Sequence, residues 1–368
     1  MSAALPPAQG APSAPSSPSP EGLRVLPVTG LTEIREGDDL AAQLGAALRP
    51  LAPQDGDVLC LSTKVVSKAL GLRIAPAQRE QAVADAAVRT VARRLHTHVV
   101  TSVVQIPSGP VMAAAGVDSS NAPDGPLLLP EDPDACAREL REALVTELGV
   151  DLGVLLTDTS SRIWRVGVGD IALGAAGVTA LQDLRGGVDA DGRPLTVTVR
   201  NLADELAAAA DLVKGKSSGV PAALVRGVPG ATAQDVPARD LSRTGADDWF
   251  RRPSLESVWV ALGLAPEQEP IARMSPEPAA ERIARALEVA AVPRRGRGPS
   301  TATVQEVSPD GPPPHIVVEA ADASQAALIH AATFAERIRT ALGAESLGAP
   351  LPETTVEVSV PDRRQEPS

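Results

Sequence analysis

Between residues 23 and 226, short runs of aliphatic and β-branched residues alternate with longer alanine-rich stretches whose apolar positions recur at helical spacing. A chain that switches repeatedly between the period of a strand and the period of a helix must stack helices on a sheet, which makes it an α/β to α+β protein. Strands are expected at residues 23–28, 57–61, 97–104, 153–156, 195–200 and 222–225, and helices at 79–95, 133–148 and 202–213. Asp132 ahead of Pro133 reads as an N-cap with proline in the first helical turn, and the acidic residues that follow suit the positive end of the helix dipole. DADG at 189–192 reads as a turn. With three Trp, two Phe and no Tyr in 368 residues, the core must be aliphatic.

Outside that body the composition shifts. Residues 1–22 form a Pro, Ala and Ser tail that cannot bury enough apolar area to offset its ordering entropy, and are expected to be disordered. The body is assigned to 23–246. Residues 247–264 and 278–292 read as helices of an extension spanning 247–292, and the Pro, Gly and Arg-rich stretch 293–314 reads as a linker. Residues 315–368 read as a small unit with a strand at 315–319, a helix at 324–342 and a strand at 354–360. No apolar run approaches the roughly 20 residues of a membrane span and no apolar signal segment opens the chain, so a cytoplasmic protein without membrane contact is expected. Two cysteines are too few for a disulfide framework or a cysteine zinc site, and the four histidines have no spacing that suggests zinc or a Ser-His-Asp triad. A formal net charge of −12 and so few aromatic rings exclude a nucleic-acid surface.

Of the 34 basic residues only four are lysine, and they fall in two pairs: Lys64 with Lys68, and Lys214 with Lys216. A lysine ammonium is a compact point charge suited to phosphate. In DGDVLCLSTKVVSK (55–68) an apolar strand feeds Ser62 and Thr63, and Lys64 and Lys68 share a face whether the segment is helical or extended, as a phosphate cradle requires. The alternative is a surface helix with two solvated lysines. No Walker A loop exists in the chain. In AAGVDSSN (114–121), Asp118 and Asn121 are either ligand contacts or turn formers. In GVLLTDTSSR (153–162), Asp158 and Thr159 place hard oxygens at the carboxyl end of a buried strand, where open α/β sheets bind ligands and where magnesium or manganese is held with phosphates. LADELAAAADLVKGK (202–216) reads locally as a helix whose terminal lysines complement its dipole, with Gly215 as the stop.

Taken in order, PVTGLTEIREGDDL (27–40), 55–68, 114–121, TDTSSRIWRVGVGDIALGAAG (157–177) and LADELAAAADLVKGKSSGVPAALVRG (202–227) resemble the coenzyme F420-0:L-glutamate ligase family of γ-glutamyl ligases, in its actinobacterial type. The resemblance covers about residues 23–246 and implies that they form a two-lobed catalytic domain. It implies a GTP-dependent carboxylate–amine ligase, active as a homodimer, that uses magnesium or manganese, with potassium as a further cation. L-glutamate would be joined in γ-linkage to a deazaflavin coenzyme precursor through an acyl phosphate. By matching position, Leu31, Thr32, Glu33, Ile34, Thr63, Lys68 and Asn121 would contact GTP, and Asp118, Asp158 and Thr159 would bind the divalent metals. Lys68, Asp118 and Asp158 would carry the catalysis, and Lys64, Lys214 and Lys216 are candidate contacts for phosphate or a substrate anion. Two positions depart from the pattern: Ser62-Thr63 stands where relatives often place Thr-Ser, and Lys216 where archaeal relatives carry Gln or Glu. Some bacterial relatives continue into a flavin-binding nitroreductase-like domain, which the aromatic-poor segment 247–368 is not expected to form. Two other readings stand beside it: a metal-dependent nucleotide phosphohydrolase using the same Asp118, Asp158 and Lys68, and a nucleotide-sensing interaction protein without catalysis, with the C-terminal unit as its partner module.

Overall fold

The computed structural model describes residues 22–96, 98–244, 255–273, 277–293, 303–307, 314–346 and 349–361. Most of the tail at 1–22, the start of the helix expected at 247–264 and most of the linker at 293–314 lie outside the described residues. The chain divides into two compact units, residues 1–89 with 102–248, and residues 90–101 with 249–368. No helix among the described residues is long and apolar enough to cross a membrane.

The first unit is built on a mixed five-stranded sheet. Its strands are β1 (Arg24–Pro27), β2 (Val58–Ser62), β6 (Gly153–Ser161), β7 (Val168–Ala176) and β10 (Ala222–Arg226), in spatial order β1-β10-β2-β6-β7. β2 and β6 are parallel and the other pairings antiparallel. Period two sorts the central strands cleanly. Leu59, Leu61, Val154, Leu156, Ala222 and Leu224 face one core, shared with α1 (Leu40–Leu48) and α4 (Pro133–Leu148). Val58, Cys60, Leu155, Ala223 and Val225 face the other, against α5 (Leu202–Lys214). A strand covered on both faces reads as a continuous apolar run, which is why VLCL in β2 shows no polar alternation. Each fully buried Leu contributes about 1.5–3 kcal/mol, and these layers supply the aliphatic core that the aromatic-poor sequence requires.

The α4 bounds match the expected helix, because Asp132 accepts the Ala135 N–H at 3.0 Å and Gly149 closes the helix in the left-handed region. Asp134, in the first turn, is buried and accepts the N–H groups of Ala175 at 2.9 Å and Ala238 at 2.7 Å, fixing β7 to the helix terminus. Gly174 of β7 lies where any Cβ would collide with the Pro133 carbonyl. Gly174→Ala is therefore expected to cost about 1–3 kcal/mol through overpacking, measured as a lowered midpoint in chemical unfolding.

Several expectations are corrected. The helix expected at 79–95 ends early: α3 spans Arg79–Asp85, and β3 (Arg89–His96) follows. β3 carries Thr90 and Val91 and pairs in parallel with β11 (Ala272–Arg273), a partner 178 residues on that no local pattern can announce. The strand expected at 195–200 is confined to β9 (Val199–Asn201), which pairs with β8 (Leu181–Asp183). β7, with the sequence VGDIALGAA, was not anticipated, since Gly and Ala are poor strand formers; its strand character comes from its register on β6. The strand at 97–104 is β4 (Val99–Gln105), which pairs with β5 (Val111–Ala113).

The second unit has its own core. α6 (Leu255–Leu262), α7 (Ala279–Ala291) and α8 (Gln325–Glu345) pack with β13 (His315–Glu319) and β14 (Thr355–Ser359) around Trp259, Ile283, Ile316, Val318, Phe334, Ile338 and Val356. β12 (Thr303–Val307) pairs with β13, so part of the stretch read as linker is strand. Arg285 ties the unit together, reaching Glu277 at 2.6 Å and Glu345 at 2.7 Å. The helices at 255–291 and the strand-helix-strand element thus share one core, where the sequence suggested two separate segments.

Candidate active site

The carboxyl ends of β1, β2 and β6 lie on one edge of the sheet in the first unit, because β1 and β2 both run antiparallel to β10 and β6 is parallel to β2. The loops leaving these strands, together with the start of β7 and the turn after α5, enclose a cleft of about 360 Å³. This is the edge at which open α/β sheets bind ligands. Leu31, Thr32, Glu33, Ile34, Lys64, Lys68, Asp118, Asn121, Asp158, Thr159, Lys214 and Lys216 all line it. Every lysine of the chain therefore lies in one cleft. The exception among the candidates is Thr63, which is fully buried and donates its hydroxyl to the Thr157 carbonyl at 3.1 Å; Ser62 lines the cleft in its place.

α2 (Thr63–Ala69) begins where β2 ends, and its helical spacing puts Lys64 and Lys68 on one face. Lys64 reaches Asp118 Oδ2 at 2.5 Å and the Ser120 carbonyl at 2.6 Å, while Lys68 pairs with Glu33. Asp118 also accepts the Ser120 N–H at 2.6 Å. Burial pushes its carboxyl upward, but hydrogen bonds from Lys64 and Ser120 and the Lys64 charge hold it below the ordinary carboxylate value. Asn121 adopts φ 51°, a region asparagine tolerates, and donates its amide to the Lys216 carbonyl at 3.3 Å.

Asp158 behaves in the opposite way. Desolvation in the cleft, reinforced by the charges of Asp118 and Asp170, pushes its carboxyl up to about 6 against the hydrogen bond from the Thr159 backbone. It is not ion-paired to any described lysine or arginine. A cleft carboxylate in this state favours a cation.

Behind it lies a network that sequence reading missed. Asp170 of β7 sits opposite Thr159 in the hairpin register. Its carboxylate accepts hydrogen bonds from Thr157 Oγ1 at 2.9 Å and Thr159 Oγ1 at 3.0 Å and pairs with Lys214 Nζ at 2.5 Å. Lys214 also donates to Thr157 Oγ1 at 2.6 Å. Lys214 and Asp170 are both buried, with 5% and 6% of their side chains exposed. Lys214 is thus not the solvated helix-terminal charge its local sequence suggests, although the residue also lines the cleft. Burial raises Asp170, but the Lys214 charge and hydrogen bond and the two threonine hydroxyls bring it below the ordinary value. The signal available in the sequence was Asp170 itself, an acidic residue inside a run of small apolar ones. Gly215, at φ 59°, ends α5 and turns the chain so that Lys216 leaves in another direction, onto Thr159 Oγ1. Cys60, beneath the sheet, is held neutral by burial, its thiol pushed up to about 12, and takes no part.

Among the described residues no group of three or more His, Cys, Asp and Glu side chains converges as a metal cage. Magnesium and manganese bound with phosphates need only one or two carboxylates, the rest of the coordination coming from phosphate and water. Asp118 and Asp158 meet that requirement, with Asp158 as the carboxylate that has no ammonium on it.

A mixed α/β unit here gathers every lysine of the chain, the carboxylates of Asp118 and Asp158 and a set of hydroxyls at the carboxyl ends of its sheet strands, a donor set of the kind that anionic ligands require. Comparison with known proteins narrows this. The model of the family described as F420-0:Gamma-glutamyl ligase matches residues 30–227, more than half of the chain. A protein of Methanopyrus kandleri named coenzyme F420:L-glutamate ligase is 39% identical over 249 residues, covering 62% of this chain and 98% of the relative. Proteins of the same name from Archaeoglobus fulgidus and Haloarcula marismortui are 37% and 36% identical, each covered over 97% of its length. The chain belongs to the F420-0:γ-glutamyl ligase family. Of the second compact unit, residues 90–101 lie inside the matched region and residues 249–368 beyond it.

Proposed function

We propose that this protein joins L-glutamate in γ-linkage to the deazaflavin precursor F420-0, consuming GTP and requiring magnesium or manganese. The observation that carries the reading is the convergence of all four lysines with Asp118 and Asp158 in one cleft of a unit that belongs to this family. Homodimerisation, a two-lobed catalytic domain and potassium dependence come with the family resemblance alone.

In this reading a terminal carboxylate oxygen of the precursor attacks the γ-phosphorus of GTP and GDP departs, leaving an acyl phosphate. The glutamate amine then attacks the acyl carbon, phosphate leaves, and the amine loses a proton to solvent or phosphate. Both steps concentrate negative charge, and phosphoryl transfer depends chiefly on positioning and charge neutralisation. Lys64 and Lys68, on one face of α2, supply movable positive charge. In the free protein each rests on a carboxylate, Asp118 or Glu33, and exchanges that partner for phosphate when nucleotide enters. Glu33 is exposed and yields Lys68 readily, since exposed pairs contribute little. Asp118 and Asp158, with Thr159 beside them, would hold the divalent ion, which supplies Lewis-acid stabilisation to phosphoryl oxygens when bound. Asp170 and Lys214 fix the Thr157 and Thr159 hydroxyls from behind, setting the floor of the cleft. Leu31, Thr32, Glu33, Ile34 and Asn121 line the same cleft and in this reading contact the nucleotide.

Lys68→Ala is expected to lower kcat/KM by about 10²–10³, or about 2.7–4 kcal/mol, the magnitude seen on removing one preorganised donor. A loss of tenfold or less removes Lys68 from phosphate binding. The reaction itself is tested by mass spectrometry of complete mixtures and of mixtures lacking GTP, metal, L-glutamate or precursor in turn. A product heavier by glutamyl units only in the complete mixture establishes the ligase. GTP hydrolysis without a mass shift points instead to a phosphohydrolase, and an absence of turnover from folded protein to a nucleotide sensor.

A further inference from the structure

The charges of the cleft are not all matched within the protein. Lys64 lies on Asp118, Lys68 on Glu33 and Lys214 on Asp170. Lys216 is different: its ammonium rests on the neutral Thr159 hydroxyl, and no described carboxylate lies within ion-pair distance of it. Its base is fixed, because Gly215 sets the direction of the chain and Asn121 holds the Lys216 carbonyl at 3.3 Å. The counterpart is on the carboxylate side. Of the two cleft carboxylates with no ammonium in ion-pair contact, Asp158 and Asp211, Asp158 is the one placed in the field of Asp118 and Asp170, which the more distant Lys64 charge offsets only in part. The cleft thus presents one anion awaiting a cation and one cation awaiting an anion.

Thr159 decides how these are divided. Its hydroxyl proton goes to Asp170 Oδ1 at 3.0 Å, and the oxygen accepts from Lys216. A divalent ion bound to that oxygen would share its position with an ammonium, and two positive charges at contact distance repel strongly in a cleft of reduced dielectric. Resting on the nucleotide reading above, we propose that Lys216 takes the cation position at Thr159 and binds phosphoryl oxygens there, so that the cleft accepts a single divalent ion, at Asp118 and Asp158. Thr159, assigned by resemblance to the metal, then serves as the seat of an ammonium.

The test counts metal ions and needs no turnover. Full-length protein is titrated with manganese in the presence of a non-hydrolysable GTP analogue, and bound ions are counted by electron paramagnetic resonance. The expected result is one ion per chain; two ions per chain in the unaltered protein overturn the proposal. Lys216→Gln replaces the ammonium with a neutral amide at an exposed position, where the fold is not at risk. It is expected to weaken the analogue about tenfold or more, as the loss of a charge-assisted hydrogen bond does, and to admit a second manganese ion. Lys216→Arg, which keeps the charge, should retain the single ion and most of the affinity. Unchanged affinity and stoichiometry in Lys216→Gln overturn the proposal. Inorganic tripolyphosphate, measured in parallel, asks the same question without a base: if it loses affinity in Lys216→Gln, the anion role stands even where guanine is the wrong assignment. A protein that binds one manganese ion and loses the analogue on Lys216→Gln, yet forms no glutamyl product, supports this proposal and sinks the ligase. One that ligates glutamate with two ions per chain does the reverse.

Discussion

Asp158→Asn is expected to lower the rate of glutamyl ligation about a thousandfold while leaving the fold intact. The change keeps the size of the side chain and an oxygen for the Thr159 N–H, and removes only the charge. That charge has no ammonium in ion-pair contact, whereas Lys64 rests on Asp118 and Lys214 on Asp170. Loss of the cation it attracts removes several kcal/mol of charge stabilisation, and about 4 kcal/mol corresponds to a factor of about 10³. Stability moves the other way, if at all. The Asp158 carboxyl is pushed up to about 6 by burial and by its acidic neighbours, so the folded state disfavours its ionised form and an amide relieves that cost. Ligation rate by mass spectrometry, manganese binding and a thermal melt on the same preparation separate the two effects. Activity within tenfold of the unaltered protein would remove Asp158 from the metal site.

Lys214→Met carries the largest expected effect on stability, about 3–5 kcal/mol. It leaves the buried Asp170 carboxylate without its counter-charge, and breaking a buried pair from one side costs that much because the remaining charge is uncompensated. Against a typical total of about 5–15 kcal/mol this threatens the whole first unit. The damage should centre on the β6–β7 hairpin, where Asp170 holds Thr157 and Thr159. Hydrogen exchange of peptides from 153–176 under increasing urea reads it locally. The double variant Lys214→Met with Asp170→Asn should recover part of the loss, because both charges leave together. Additive losses in the double variant, or a single-variant cost below about 1 kcal/mol, would mean that the pair is solvated and that Lys214 is the ordinary helix-terminal lysine its local sequence suggests.

Most of the side chains that line the cleft were legible because their chemistry is short-range. Lys64 and Lys68 share a face in a helix and in a strand, and the oxygens of Asp158 and Thr159 follow an apolar run that reads as a buried strand. Asp132, Pro133 and Gly149 bracket α4 through local capping, so its bounds were legible as well. Thr63 was misplaced for an equally local reason: neighbouring hydroxyls at 62 and 63 look alike in sequence, and only the turn from β2 into α2 decides which one goes under the sheet.

What the amino-acid order determined by itself was the layered α/β class, the aliphatic core, the principal helices and the set of side chains able to handle phosphate. Each rests on interactions a few residues long: hydrophobic period, capping and the intrinsic chemistry of lysine and carboxylate. Only the tertiary structure decided that β3 leaves its helix to pair with β11, that the weak strand former VGDIALGAA becomes β7, and that Asp170 meets Lys214 across 44 residues of chain. The same applies to the lysines at the end of α5, of which Lys214 is buried on Asp170 and Lys216, two residues on, is exposed and lines the cleft. These outcomes depend on pairings between distant segments, whose free energy appears only when the sheet closes and burial makes an unpaired charge costly.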